Sequence, residues 1–367
     1  MTAQTPAAAG AAQDDRVPAP GTPPSVSVVV PSYNYARYLP TNVGSLLDQE
    51  GVEVRVLILD DASTDGTPEV GADLARDPRV TYERHRTNKG HIATYNEGLL
   101  EWADGDYCVL LSADDLLTPG ALARATGVME AHEDVTFVYG NPVKFVSGRP
   151  LPVARTGTKS RVWQGDRWIR GVFRAGRNLI LSPEVVARTS AHHDAGGYNA
   201  ALPHSGDLEM WLRLARRGSV GWLPAADQAY YRMHDSNMHH STFDARARLA
   251  QLREGYESFL DNDGSALAYG DAVRADMRRK LARGVLRKVI RTLDAGEESA
   301  DGLTVDELYE LAEELTDVRR LPEYPGARAR MSLGPTRCGR LNPVTSLVTL
   351  RRGRDWVRWH GNKIRPV

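Results

Sequence analysis

Between Ser25 and Asn141, short β-branched apolar runs alternate with helical segments, and this alternation restricts the fold more than any other feature. "SVSVVVP" (25–31), "EVRVLILDD" (53–61), "RVTYERH" (79–85), "DYCVLLSADD" (106–115) and "VTFVYGN" (135–141) read as strands. "ARYLPTNVGSLLDQ" (36–49), "GTPEVGADLAR" (66–76), "HIATYNEGLLEWA" (91–103) and "PGALARATGVMEAH" (119–132) lie between them with helical spacing. Successive strands joined by helices pair in parallel, and such a sheet is covered on both faces. The expected fold class is therefore α/β, a mostly parallel sheet flanked by helices.

After about Asn141 the alternation stops. Residues 141–200 read as irregular, with Gly and Pro punctuation and aromatics at Trp163, Trp168 and Phe173. A helix, "DLEMWLRLARRG", is expected over 207–218, and the chain beyond Phe243 reads as mainly helical, including 275–293 and 304–318. The Ala-, Pro- and Thr-rich stretch 1–24 has neither the basic start nor the apolar core of a signal peptide, so a disordered leader is expected. No stretch approaches the roughly 18 apolar residues of a membrane-spanning helix. A net charge of −1 gives no reason to expect a nucleic-acid partner. Two cysteines, Cys108 and Cys338, make no disulfide framework; the expectation is reduced thiols and a cytoplasmic location.

Open α/β sheets bind ligands beyond the carboxyl ends of their strands, where the connectivity reverses. Three polar clusters fall at such ends: "PSYN" (31–34), "DDASTDGT" (60–67) and "SADD" (112–115). They place Tyr33, Asp60, Asp61, Asp114 and Asp115 along one rim. Adjacent carboxylates repel, and a bound Mg²⁺ or Mn²⁺ would offset that repulsion. Each cluster also has a plainer explanation. The first acidic cluster suits a turn capping the next helix, with Thr64 and Asp65 at the cap, and the second suits a solvated loop.

At this point the sequence resembles a known family. "VSVVVPSYNYARYL", "VLILDDASTDGT", "NKGHIATYNEGL", "LLSADD", "GGYNAALPHSGDLEMWLRLARRG" and "YYRMHDSNMHHS" resemble the family 2 glycosyltransferases of GT-A fold over about residues 25–241. The resemblance implies an inverting transfer of a sugar from a nucleoside-diphosphate sugar, a UDP-sugar first, with a divalent metal. It implies a nucleotide-sugar-binding half at 25–140 and an acceptor-binding and catalytic half at 141–243 of the same domain; beyond it, the residue pattern gives a helical C-terminal region at 244–367 with a basic tail. By position, Pro31, Tyr33 and Asp61 would meet the nucleoside, Asp114 the ribose or sugar, and Asp115 the metal. His234 would lie near the metal and diphosphate with Arg232 beside it, and an imidazole with a carboxylate suits Mn²⁺ better than Mg²⁺. No Cys or His spacing suits zinc. Lys89 in "TNKG" reads equally as a phosphate contact or a solvated turn residue. The neighbouring His239 and His240 read equally well as loop residues.

Three positions depart from the family pattern. Ser112 stands where many relatives have an acid. Ala62 replaces a common Gly, which suggests negative φ there. Gly206 replaces the acid that often precedes the catalytic Asp, which removes a charge that would raise the base's pKa or else widens the acceptor site.

Inversion requires a general base to take the acceptor's proton, and the resemblance points to Asp207. Its helix has an apolar face of Leu208, Trp211, Leu212 and Ala215, and Asp207 sits at the edge of that face. Asp207 reads either as this base or as a helix N-cap. Glu209 has Arg213 at i+4, the spacing of an ordinary surface ion pair.

The tail 347–367 mixes Arg351, Arg352, Arg354 and Arg358 with Trp356 and Trp359. It suits either peripheral contact with an anionic membrane or a packed helix with a basic face. The acceptor class stays open among a saccharide, a lipid-linked saccharide and a small natural product, attacked through a hydroxyl or an amine. Two other readings remain: a non-catalytic nucleotide-sugar-binding partner, and a nucleotidyltransferase that releases pyrophosphate.

Overall fold

The computed structural model describes residues 23–234 and 245–340. His239, His240, the tail 347–367 and all but the end of the expected leader lie outside these residues.

The first half follows the alternation. The elements are β1 (Ser25–Ser32), α1 (Leu39–Leu47), β2 (Glu53–Asp60), α2 (Thr67–Leu74), β3 (Val80–Arg84), α3 (His91–Glu97), β4 (Tyr107–Leu110), β5 (Leu116–Leu117), α4 (Ala121–Ala131) and β6 (Val135–Phe145). A π-helical turn, Gly98–Trp102, extends α3. Gly98 is required there: a Cβ would lie 2.3 Å from Val29 Cγ1 on the strand beneath.

The second half is more ordered than the sequence suggests. It contains β7 (Arg161–Trp163), α5 (Gly165–Ala175), β8 (Val185–Arg188), α6 (Thr189–Ala195), α7 (Gly206–Arg217) and β9 (Ser219–Arg232). The expected irregular stretch thus holds a three-turn helix with Trp168, Ile169, Val172 and Phe173 buried on one face. The long β9 tolerates Pro224 because its pairing with β6 shifts register around Asn141. The Asn141 side chain fills that irregularity, donating to the carbonyl of Ala226 at 2.7 Å.

The sheet order is β3-β2-β1-β4-β8-β6-β9-β5, with β7 also on β9. The first four strands are parallel. β8 then enters antiparallel to both β4 and β6, β6 and β9 run parallel, and β5 and β7 pair antiparallel with β9. The chain steps from β1 outward to β2 and β3 and returns to β4 on the other side of β1. This is the reversal at which a ligand crevice opens.

Both faces are covered, as the continuous burial of β1 requires. Val26, Val28 and Val30 face Leu39, Val43 and Leu46 of α1 in one core, while Val29 points into the other. That second core continues through Phe137, Trp168 and Trp211 to Met277, Leu281 and Val285 of the helix Gly270–Asp294. The C-terminal helices therefore share a core with the sheet. Cys108 and Cys338 are buried and form no disulfide; burial pushes the Cys108 thiol up to about 12.

Candidate active site

The carboxyl ends of β1, β2 and β4 open onto a cavity of about 470 Å³. Pro31, Tyr33, Asp61, Asp114, Asp115 and Asp207 all line it, so six of the site residues expected from the sequence meet in one space. Lys89, Arg232 and His234 are not among its lining residues.

At one end, Tyr33 is 46% exposed and Asp61 is buried. The Asp61 carboxylate accepts the backbone N–H groups of Lys89 (2.7 Å) and Gly90 (2.9 Å), and His85 Nδ1 lies 2.7 Å from its Oδ1. Gly90 adopts φ 86°, a conformation glycine allows cheaply. Burial alone would raise the Asp61 pKa. The bonds from His85, Lys89 and Gly90 outweigh it and hold the carboxyl below its ordinary value. Asp61 is thus a fixed anionic acceptor.

Lys89 contributes its backbone to this end. Its ammonium pairs with Glu97 at 2.6 Å. Asp60 also leaves the expected rim: its carboxylate is fully buried and accepts bonds from Ser63 N–H and the Tyr82 hydroxyl, both at 2.8 Å. Ala62 has φ 63°, against the expected negative value, and Asn34 across the turn has φ 62°. The two are laced together, since Asn34 N–H donates to Ser63 Oγ and Thr64 N–H donates to Asn34 Oδ1. The tertiary lacing overrides the intrinsic preference of alanine. Asp65, one of the expected cap residues, accepts the Thr67 N–H at 3.0 Å at the start of α2.

Beyond β4, Asp114 and Asp115 sit in a turn gripped by buried Asn42 of α1, which donates to the carbonyls of Ser112 (3.0 Å) and Asp115 (2.7 Å). His234 Nε2 lies 2.8 Å from Asp114 Oδ2, and its ring stacks on Tyr38. The Arg232 N–H donates to Asp115 Oδ1 at 2.8 Å, and its guanidinium Nε donates to the Asp114 carbonyl at 2.6 Å. The end of β9 therefore braces the carboxylate pair. The imidazole pairs with Asp114, whereas the sequence grouped it with Asp115.

Asp115 is 1% exposed, and burial followed by the charge of Asp114 raises its pKa well above the ordinary value. A divalent cation is the natural counter-charge for such a pair. Two carboxylates and an imidazole suit Mn²⁺ or Mg²⁺, which complete their shells with water and phosphate oxygens. Among the described residues no three or more His, Cys, Asp or Glu side chains form a ready cage. The donor set fits an ion that arrives with a phosphate-bearing ligand.

The opposite wall comes from α7 and the segment before β8. Asp207 is the second residue of α7; Ser205 occupies the N-cap position and makes no side-chain cap bond. The Asp207 carboxylate instead accepts the Ser182 hydroxyl at 2.8 Å, which argues against the capping explanation. Burial raises its pKa, opposed by the Ser182 bond and by His91. Gly206 beside it lines the cavity, where a Cβ would come within 3.2 Å of the Tyr198 ring. Its bareness makes room.

Glu209 points away and bonds Arg213 at 2.9 Å, but both are buried and not at the surface. Arg213 also donates to the carbonyls of Ala195 and Gly197, tying the loop before α7 to the helix. Sequence reasoning missed four further wall residues, Tyr35, Tyr95, Tyr198 and Tyr231. Burial raises the pKa of each, to about 12 for Tyr35, so they stay neutral and can donate. Ser182 was missed as well, because it lies in a stretch without periodicity.

A parallel-start sheet with carboxylates at its switch point and a facing helical acid defines a GT-A type of architecture. The sequence profile of glycosyl transferase family 2 matches residues 27–185, a little under half of the chain, and over that stretch the chain is similar to the family. A Sinorhizobium fredii protein, y4gI, is 33% identical over 53% of this chain but only 20% of its own length. The candidate glycosyltransferase EpsE of Bacillus subtilis is 29% identical, over 54% of this chain and 69% of its own. Among solved structures, S. aureus TarS 1–349 in complex with UDP-GlcNAc superimposes with a TM-score of 0.57 at 19% identity, covering 90% of this chain and 92% of that one. That likeness is one of fold.

Proposed function

We infer that the protein is an inverting, metal-dependent glycosyltransferase that moves a sugar from a nucleoside-diphosphate sugar to a hydroxyl or amine. The observation that carries this reading is the shared cavity: an ionised acceptor, a cation-seeking acid pair and a carboxyl of raised pKa face the same space.

Asp61 accepts a ring N–H of the base, and Tyr33 covers the base from the open side. An acceptor-only group at this place selects uracil, thymine or guanine, which carry such an N–H. The TarS complex with UDP-GlcNAc supports UDP-sugars as the first donors to test. Asp114 orients the ribose or sugar. Asp115 with His234 would hold Mn²⁺ or Mg²⁺, and the bound ion would offset the charge on the departing diphosphate. Arg232 positions Asp114 and Asp115, and Lys89 shapes the Asp61 end through its N–H. In transfer, the acceptor O–H or N–H gives its proton to Asp207 as the heteroatom bonds the anomeric carbon. The bond from that carbon to the diphosphate oxygen breaks on the opposite face. A raised pKa makes Asp207 a better base than an ordinary surface carboxylate.

The test is to incubate the protein with UDP-, GDP- and dTDP-sugars and Mn²⁺ and to follow the released products. Release of a nucleoside diphosphate that the Asp207→Asn variant loses supports the reading. Release of pyrophosphate, or nucleotide binding without turnover by any donor and acceptor combination, overturns it.

A further inference from the structure

From the end of β6 through β7 the chain carries a composition that the site does not use. Residues 142–165 hold five basic side chains, Lys144, Arg149, Arg155, Lys159 and Arg161, and no Asp or Glu. Every residue from Val146 to Val153 is exposed. Val146 and Leu151 are each 47% exposed and Val153 is 96% exposed, three of the five large exposed hydrophobic side chains among the described residues.

This loop is anchored. The Tyr230 hydroxyl donates to the Pro152 carbonyl at 3.1 Å, Arg232 Nη1 donates to Ser147 Oγ at 2.7 Å, and the Arg155 N–H donates to Asp227 Oδ2 at 2.8 Å. Leu116, next to Asp115, packs with Phe145 and Tyr230 beneath it. The loop follows β6 and is tied to β9, which ends in Arg232 and pairs with β5 just after Asp115, and so its surroundings adjoin the acid-pair end of the cavity.

Three exposed apolar side chains within eight residues of a hydrogen-bonded loop mark a contact surface. Basic flanks without a single acid select a negative partner. A soluble polyanion would satisfy the charge and leave Leu151 and Val153 in water; a bilayer with anionic headgroups satisfies both. We propose that the 146–153 loop, with its basic flanks, seats the protein on an anionic lipid surface. Arg155 is paired with Asp227 and Arg161 lies over the Trp222 ring, so Arg149 and Lys159 are the informative charges. Seating does not depend on the chemistry of the cavity. If the glycosyl-transfer reading holds, this orientation brings the Asp115 end close to acceptors carried on lipid.

The full chain is mixed with vesicles of phosphatidylcholine alone or with phosphatidylglycerol, and cosedimentation is measured. Binding is expected only to the mixed vesicles and weakens with salt. The double variant Leu151→Asp/Val153→Asp should lose at least about tenfold in partitioning. Arg149→Gln and Lys159→Gln should each lose about fivefold. The melting temperature and the nucleotide-induced shift should stay unchanged in all of them. The proposal fails if mixed vesicles are not bound, or if the loop variants bind as well as the parent because segment 347–367 carries the contact. It also fails if inorganic polyphosphate binds as strongly and insensitively to Leu151→Asp/Val153→Asp, or if these changes instead abolish self-association.

Discussion

Asp61 and Asp207 share one cavity and one side-chain chemistry, yet their surroundings push them in opposite directions. Asp61, at the end of β2, is met by two backbone N–H groups and an imidazole, and its pKa falls. Asp207, in the first turn of α7, has one hydroxyl partner, Ser182, and burial raises its pKa. Backbone donors cannot be withdrawn, so they make an acceptor permanent. An under-solvated carboxyl with one weak partner is ready to take a proton. In the proposed glycosyl transfer, the strand-end half of the cavity would hold and the helical half would react.

The largest effect should come from the reactive side. Asp207→Asn is expected to lower nucleoside-diphosphate release by about 10²–10⁴-fold with nucleotide affinity retained, the range of a lost general base. Linkage gives the same pair a second, opposite signature. A raised folded pKa contributes stability that is present in acid and lost as pH rises through it, so Asp207→Asn should gain melting temperature over the parent toward neutral pH. A lowered folded pKa contributes stability that is present at neutral pH and lost in acid. Asp61→Asn should therefore be less stable than the parent near neutrality, with the gap closing on acidification. It should also weaken nucleotide binding about tenfold or more, since a charge-assisted acceptor contributes roughly 1.5–3 kcal/mol. Melting curves at stepped pH check both signs, and parallel curves for the two variants would break the comparison.

Smaller changes sharpen it. Ser182 lowers the Asp207 pKa, so Ser182→Ala should move the acid limb of the kcat/KM profile to higher pH; an unmoved limb would detach Ser182 from the base. Ala62→Gly relieves a left-handed alanine at about 1 kcal/mol. That is a rise of about 2 °C in melting temperature for a chain of this size, readable by calorimetry.

The difference between the halves also explains what the sequence disclosed. The strands β1, β2 and β4 are apolar throughout and end in polar clusters, so each local signal agreed with the fold, and the site residues at their ends were legible. The other half depends on contacts that no local pattern encodes. In α5, Gly171 and three arginines interrupt the buried Trp168–Phe173 face, and in β9 the Pro224 that should exclude a strand is accommodated at a bulge held by Asn141. Ser182 and the wall tyrosines come together only when β8 inserts between β4 and β6. The positive φ of Ala62 follows from bonds made to Asn34 and Ser63, twenty-nine or more residues apart in pairing. Glu209–Arg213 had the right spacing for an ion pair, but its burial was set by the loop before α7.

The most direct measurement is the melting temperature with UDP, GDP or dTDP, each with and without Mn²⁺, for the parent and for Asp115→Asn. A ligand at a hundred times its dissociation constant adds about 2.7 kcal/mol. The account predicts that one nucleotide raises the parent's melting temperature in a Mn²⁺-dependent way and that Asp115→Asn loses the Mn²⁺ increment. No shift with any nucleotide, or an increment that Asp115→Asn keeps, would contradict it.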